Sequence, residues 1–509
     1  MKITRAVEGW TAPGYGPVRE LFALGVADGL EDQAQCTVYV RGELVVDVWT
    51  SAGSAVQSDA CSRLQNVFSS SKVLTSLVVA ILVDRGLLAY DQPVSSIWPE
   101  FAQCGKGGIT IAQLMRHQAG LAQFSEAVAA EDLHPDEIRG GGGIVSQIIA
   151  RQKPSHTETD PDKAPREYHG LTRGWILNEI VTRVDLQSRT IGEFLRDEVA
   201  VPLGLSEELG IGVQHLSLTQ EQFLQRVQPL KGPRLWWTWW NLLMPRLFGG
   251  GKVPIHSISM RIFLALMLPL YKLVERAGLI KTVANVFALA LSRKSFSFEP
   301  GLDRCKSDRP EPTADTRATL FRRRSAFEPE LTTKSLWDQK KRNIGIANLF
   351  NTSQVRASEC PSANGYASGR ALAKIAALIV CGGKLPGASS VRIISERGLN
   401  EAHAKPVPGK MFGFVQFLFT QAGWSIFKKG FGGGLRDGFI GWMGLGGSVC
   451  QWHPELAIGF GYAMNQMEIA PTNERALRLQ LEVVRCARRG LRQTECCADG
   501  GGTQMNCRL

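Results

Sequence analysis

Apolar, β-branched runs first appear in TVYVRGELVVDVW, residues 37–49, on either side of Arg41-Gly42. The pattern predicts two strands joined by a tight turn, preceded by a helix around Pro17 to Leu30. A different period follows. In SSSKVLTSLVVAILVDRGLL the residues Val73, Leu74, Leu77, Val78, Ile81 and Leu82 recur three and four apart, which predicts a deeply buried helix with Gly86 as its C-cap. From about Ile109 to Gly204 helical runs alternate with loops, punctuated by Gly140 to Gly143 and the polar stretch Pro154 to Arg166, and are assigned to a helical subdomain. Further on, GGSVCQW and ELAIGFGYAMN alternate like paired strands across His453-Pro454-Glu455, and Asn473 to Arg489 predicts a closing amphipathic helix. Strand-like segments at both ends imply one sheet assembled from both termini.

Between Lys231 and Asn343 the pattern breaks down. LWWTWWNLLMPRLFGGGK is Trp-rich and basic, a long apolar run follows, and DRCKSDRPEPTADTRATLFRRRSAFEPE is charged. The expected organisation is therefore a main domain over residues 1–228 and 346–490 with a helical subdomain at about 109–228. An insertion occupies 229–345 and a flexible tail 491–509. No solenoid-type repeat is found.

The chain has 509 residues, 44% hydrophobic, enough to bury an enzyme-sized core. The net charge of +11 comes from Lys and Arg interleaved with acids, so a nucleic-acid partner is not expected. Eleven cysteines, without a CxxC pair, read as reduced thiols of an intracellular, cytoplasmic protein. The opening MKITRAVEGWTAPGYG lacks the apolar core of a signal peptide, and no run approaches a membrane span. Trp236, Trp237, Trp239 and Trp240, flanked by Lys231, Arg234 and Arg246, suit a membrane interface. An insertion packed on its own helical subdomain is the alternative, and the preferred, reading.

The strongest local signal for chemistry is Ser69-Ser70-Ser71-Lys72 at the start of the buried helix. Residues three apart share a helical face, so Lys72 reaches the Ser69 hydroxyl. A serine needs a neighbour to take its proton, and a lysine does so only where burial or positive charge keeps it neutral. The same S-x-x-K spacing recurs at Ser425 to Lys428, but WSIFKK reads as a strand, where positions three apart face opposite sides. Ser70 and Ser71 lack the lysine and are assigned to N-capping. The eight histidines show no ligand spacing, and neither G-x-x-x-x-G-K-[ST] nor G-x-S-x-G occurs. No metal or cofactor is expected, and an α/β-hydrolase fold is disfavoured.

NVFSSSK, VDRGLLAYDQPVSSIWPEF and ITIAQLMRHQAGL resemble the serine β-lactamase-related family, which includes penicillin-binding DD-peptidases, class C β-lactamases and family VIII esterases. The resemblance runs from about Glu8 to Arg226 and resumes from Ile346 to Asn465. It implies an α/β sandwich: an antiparallel sheet flanked by helices, with the site in the cleft beside the helical subdomain. The tyrosine motif falls on Tyr168, in EYHGLTRGWILNEIV, implying that Tyr168 accepts the Ser69 proton and passes it to the leaving group, tuned by Lys72. Gly170 stands where the family has asparagine. The third motif falls on Trp442-Met443-Gly444, with tryptophan in place of a cation, and the resemblance implies an oxyanion hole from the Ser69 and Leu445 N–H groups. His117 is expected to fix a loop.

Both departures, Gly170 and Trp442, remove groups that hold β-lactams, so the implied substrate is a small ester, hydrolysed through a Ser69 acyl-enzyme. Acyl transfer to another acceptor and a catalytically silent scaffold at a membrane surface remain open readings.

Overall fold

The computed structural model describes residues 5–52, 60–126, 128–233, 346–385, 391–411, 415–429, 436–468 and 474–498. The Trp236–Trp240 cluster and nearly all of the 229–345 insertion lie outside the described residues.

A nine-stranded sheet organises the molecule in the order β1-β3-β2-β12-β11-β10-β9-β8-β7. Its strands are β1 (Arg5–Thr11), β2 (Ala34–Val40), β3 (Glu43–Ala52), β7 (Val407–Met411), β8 (Val415–Phe419), β9 (Ser425–Ile426), β10 (Ile440–Met443), β11 (Val449–His453) and β12 (Ile458–Met464). All neighbours are antiparallel. The predicted Arg41-Gly42 turn joins β2 to β3, with Val40 opposite Glu43 and both turn residues at positive φ (54° and 83°). That backbone matches the twist of a two-residue hairpin. The strand β12 pairs with β2 from Ala34↔Met464 to Val40↔Ile458, so the sheet is closed by segments from opposite ends of the described chain.

The side chains of β12 explain how two helical layers sit on this sheet. Strand residues alternate faces. Ile458, Phe460, Tyr462 and Met464 join a core with Val18, Phe22 and Val26 of the first helix (Gly16–Ala27) and with Ala476, Leu479 and Val483 of the closing helix (Glu474–Ala498). The opposite face carries only Gly459, Gly461 and Ala463, and there the helix Gly369–Val380 lies directly on the strand. A β-carbon on Gly461 would drive into the backbone of Gly369 and Ala373. Gly461→Ala is expected to destabilise the protein by about 2–3 kcal/mol, since neither backbone can yield. A lower urea midpoint with an unchanged slope checks it.

The closing helix runs on to Ala498, past the expected end at Arg489 and into the segment read as a tail. Gly490 interrupts it without stopping it, because a lone glycine inside a helix carries only a modest penalty.

The helix expected to follow the nucleophile, the nucleophile helix (Ser71–Asp84), has every residue from Ser71 to Val83 buried, so its apolar stripe understates its burial. Arg85 and Gly86 end it, Gly86 at φ 72°. The helical subdomain includes Ile111–Met115, Ile144–Arg151, Thr172–Val184 and Ile191–Leu195. A small sheet stitches it to the rest: β4 (Gln65–Asn66) and β5 (Leu209–Ile211) flank β6 (Gly365–Ala367).

Among the described residues, no helix is long and apolar enough to cross a membrane. Among the described residues, Cys36, Cys360, Cys381, Cys450 and Cys486 are thiols. Cys104 is disulfide-bonded, so the expectation of a wholly reduced set fails at that position.

Candidate active site

Ser69 sits in a single 3-10 turn, Phe68–Ser70, that feeds the nucleophile helix. The turn is clamped from below. Phe68, at φ 42°, donates its N–H to Asn66 Oδ1 at 2.9 Å. Ser71 Oγ donates to Phe68 O at 2.5 Å and accepts from Gly365 N at 2.9 Å, tying the turn to β6. Ser70 Oγ meets Ser448 Oγ at 3.0 Å. Neither serine caps the helix, contrary to the sequence-based expectation. Ser70 occupies the cap position with helical angles (φ −61°, ψ −23°), whereas a capping side chain needs an extended backbone. Both hydroxyls instead fasten the turn to its neighbours, leaving Ser69 partly exposed.

The structure brings Ser69, Lys72 and Tyr168 together. Ser69 Oγ lies 2.5 Å from Tyr168 Oη and 3.4 Å from Lys72 Nζ. Lys72 is fully buried and also donates to Gly170 O at 2.9 Å and Ser362 O at 3.0 Å. Two N–H bonds are thus spent on carbonyls and the third nitrogen position faces Ser69, which suits a neutral amine whose lone pair accepts the serine proton. Burial, reinforced by the Arg173 charge, pulls Lys72 well below the usual lysine range. The Tyr168 and Trp442 rings, 4.9 and 5.6 Å from Nζ, favour the ammonium but are the weaker influence. Burial pushes the Tyr168 phenol up to about 12, against the Ser69 hydrogen bond and Arg173, so it is protonated at neutral pH.

Trp442 is buried, and its indole N–H is committed to Gly423 O at 2.8 Å. Its ring stacks on Phe419 at 5.5 Å and meets His117 edge-on at 5.5 Å. The position therefore offers an aromatic wall beneath Lys72 and Tyr168, with no hydrogen-bond donor left for a carboxylate. Gly444 and Leu445 lie beyond the end of β10, in the turn to β11, rather than on the strand itself. Gly446 and Gly447, at φ 84° and 133°, supply the backbone that turn requires. Gly444 abuts Val67 O so closely that a side chain there would collide with it, which carries the turn up against the segment leading into Ser69. Ser448 locks the approach by donating Oγ to Val67 O at 2.6 Å, and Gly444 N donates to Ser448 O at 2.8 Å. Leu445 is 49% exposed at the mouth.

His117 has the loop-fixing role expected of it. Fully buried at φ 65°, it accepts the His169 N–H on Nδ1 at 3.1 Å and packs 5.1 Å from the Tyr168 ring. His169 in turn accepts from Leu121 N on Nε2 at 3.1 Å. Ser425 lies in β9, opposite Gly441 and Phe419, as its strand-like surroundings predict. Among the described residues no group of three or more His, Cys, Asp or Glu could hold a metal ion.

Sequence reading missed Ser362, Ser448 and Arg173. The first acts through its carbonyl and the second through one hydroxyl, and neither role leaves a pattern. Arg173 did leave one: it falls three, four and seven residues before Ile176, Leu177 and Ile180, a charge on the apolar stripe of its helix.

Residues 19–208 match the family described as Beta-lactamase. The esterase/β-lactamase LipL of Mycobacterium tuberculosis is 24% identical over 471 residues, covering 91% of this chain and 84% of LipL. Among solved structures, a family VIII carboxylesterase is similar at 25% identity and a TM-score of 0.62, covering 94% of this chain and 100% of its own. A penicillin-binding protein homolog from Caulobacter crescentus is similar at 23% identity and a TM-score of 0.61, covering 94% and 100%.

Proposed function

Since the chain carries a β-lactamase family domain and is homologous to an esterase/β-lactamase, we propose that it is a serine hydrolase cleaving carboxylic esters through an acyl-enzyme on Ser69. The observation that carries this reading is Lys72, whose two carbonyl partners leave one nitrogen position turned to Ser69 Oγ.

In this mechanism the Ser69 proton passes to the Lys72 amine as Oγ attacks the ester carbonyl. The Ser69 and Leu445 N–H groups receive the oxyanion. Tyr168, held as a phenol, gives its proton to the departing alkoxide and recovers one from Lys72. It therefore acts as the acid of the pair, rather than as the first acceptor suggested by the sequence resemblance. Water then attacks the acyl group with the same residues in reverse order, regenerating Ser69. The geometry offers a β-lactam little: Gly170 has no side chain to hold its amide, and the Trp442 donor is already used. Esters are therefore preferred over β-lactams.

Turnover of a short-chain nitrophenyl ester, set beside that of a chromogenic cephalosporin, tests the reading. The expected kcat/KM is at least about a hundred-fold higher for the ester, the scale on which a site discriminates against a substrate whose polar groups it cannot pair. A higher value for the cephalosporin would overturn the preference, and no turnover of either the enzyme assignment.

A further inference from the structure

Arg173 enters the site from the helix Thr172–Val184, which follows Tyr168, and is fully buried. Its Nη2 donates to Ser76 Oγ at 2.6 Å, with Met115 Sδ and Ala422 O each at 3.5 Å, while Nε and Nη1 have no partner. None of these contacts is an acid. Other buried arginines are better answered: Arg475 pairs with Glu31 and Glu468 and Arg189 with Asp185 and Glu198, while Arg116 and Arg166, which also lack an acid, donate to the backbone carbonyls of Thr420 and Lys405 and of Arg116, Phe417 and Val407. Burying a guanidinium without a carboxylate is costly, and positions that break this rule concentrate at functional sites.

The location says what the charge does. Ser76 lies one helical turn beyond Lys72 on the same face of the nucleophile helix, so the guanidinium sits one turn from the lysine side chain. The other titratable groups around Lys72 are neutral at pH 7. Burial pushes Tyr168 up to about 12 and Cys360 to about 11, and it pulls His169 down to about 4 and His117 well below its ordinary value. Ser69, Gly170, Ser362 and Trp442 complete the surroundings and carry no charge. Arg173, lowered by burial only to about 9, keeps its charge.

We propose that Arg173 is a positioning residue that acts through its field: an unanswered positive charge behind Lys72 that holds the amine unprotonated, ready for the Ser69 proton. The inference rests on the reading of Ser69 and Lys72 as nucleophile and base. It assigns the cost of an unpaired buried cation to the upkeep of a reactive lysine.

The test follows the rate of fluorophosphonate labelling, and kcat/KM for a nitrophenyl ester, over roughly pH 5 to 10. Both rise with pH along an acidic limb whose midpoint reports Lys72. Arg173→Met and Arg173→Gln are expected to move that midpoint up by about one pH unit, with the rate recovering at high pH. Arg173→Lys should keep the midpoint, and the Met variant should melt no lower than the parent. If the Arg173 variants do not fold, Met115→Glu, which sets an acid beside Nη2 with Arg173 in place, should shift the limb in the same direction. An unmoved midpoint with a rate reduced equally at every pH makes Arg173 a structural brace and overturns the proposal. Persistent labelling of Ser69→Ala protein would instead sink the nucleophile assignment, whatever Arg173 does.

Discussion

Replacing Ser69 by alanine is expected to abolish fluorophosphonate labelling and lower kcat for a nitrophenyl ester by about 10⁴-fold or more, leaving only what the oxyanion site and substrate binding supply. The side chain is partly exposed, and its hydrogen bonds go to Tyr168 and Lys72 alone. The turn around it is fastened instead by Asn66, Ser71, Gly365 and Ser448. The melting temperature of the variant should therefore stay within a few degrees of the parent, which separates loss of chemistry from loss of fold. Ser425→Ala is the control, because that serine lies in β9 between β8 and β10 and should leave labelling intact. Retained activity in Ser69→Ala would sink the assignment.

Lys72→Met is expected to lower kcat by about 10²–10⁴-fold while raising stability at neutral pH. The sign follows from linkage. Folding depresses the lysine well below its ordinary 10.5, so between the folded and unfolded values the unfolded chain binds more protons than the native one. Stability of the parent protein at this site therefore rises with pH across that window, and below the folded value the lysine contributes its full cost. Methionine abolishes the coupling and fills a similar volume. The melting temperature of the variant should exceed that of the parent at pH 7 and approach it as pH nears 10.5. A variant less stable at every pH would mean that the hydrogen bonds to Gly170 O and Ser362 O outweigh the desolvation of the amine.

These expectations depend on features that differed in how plainly the sequence displayed them. Local signals were readable: the Arg41-Gly42 hairpin, the buried nucleophile helix, the period-two alternation of β12 and the three-residue spacing of Ser69 and Lys72. Each is fixed by nearest neighbours and by the geometry of one element. The strands β7 and β8 were harder to see, since Pro408, Gly409 and Lys410 interrupt β7. The carbonyls of Gly170 and Ser362 were invisible, because every residue carries the same backbone oxygen and only tertiary placement selects two of them. Tyr168 and the Trp442–Leu445 segment were located through family resemblance, for a lone tyrosine or a W-x-G has no local signature. The capping assignment of Ser70 and Ser71 failed because a 3-10 turn extended the helical backbone one step further than the sequence pattern implied.

The antiparallel pairing of Ala34 with Met464 also bears on how the protein comes into being. Ribosomes deliver about 5–20 residues per second, so β2 and β3 emerge long before the strand that must lie beside them. Until residue 464 is released, the edge of β2 that pairs with β12 has no partner. The high contact order of this pairing predicts slow folding and an aggregation-prone nascent hairpin. The turn that carries Ser69 therefore meets Gly444 and Ser448, which abut Val67 O, only late in synthesis, once the closing strands have been made.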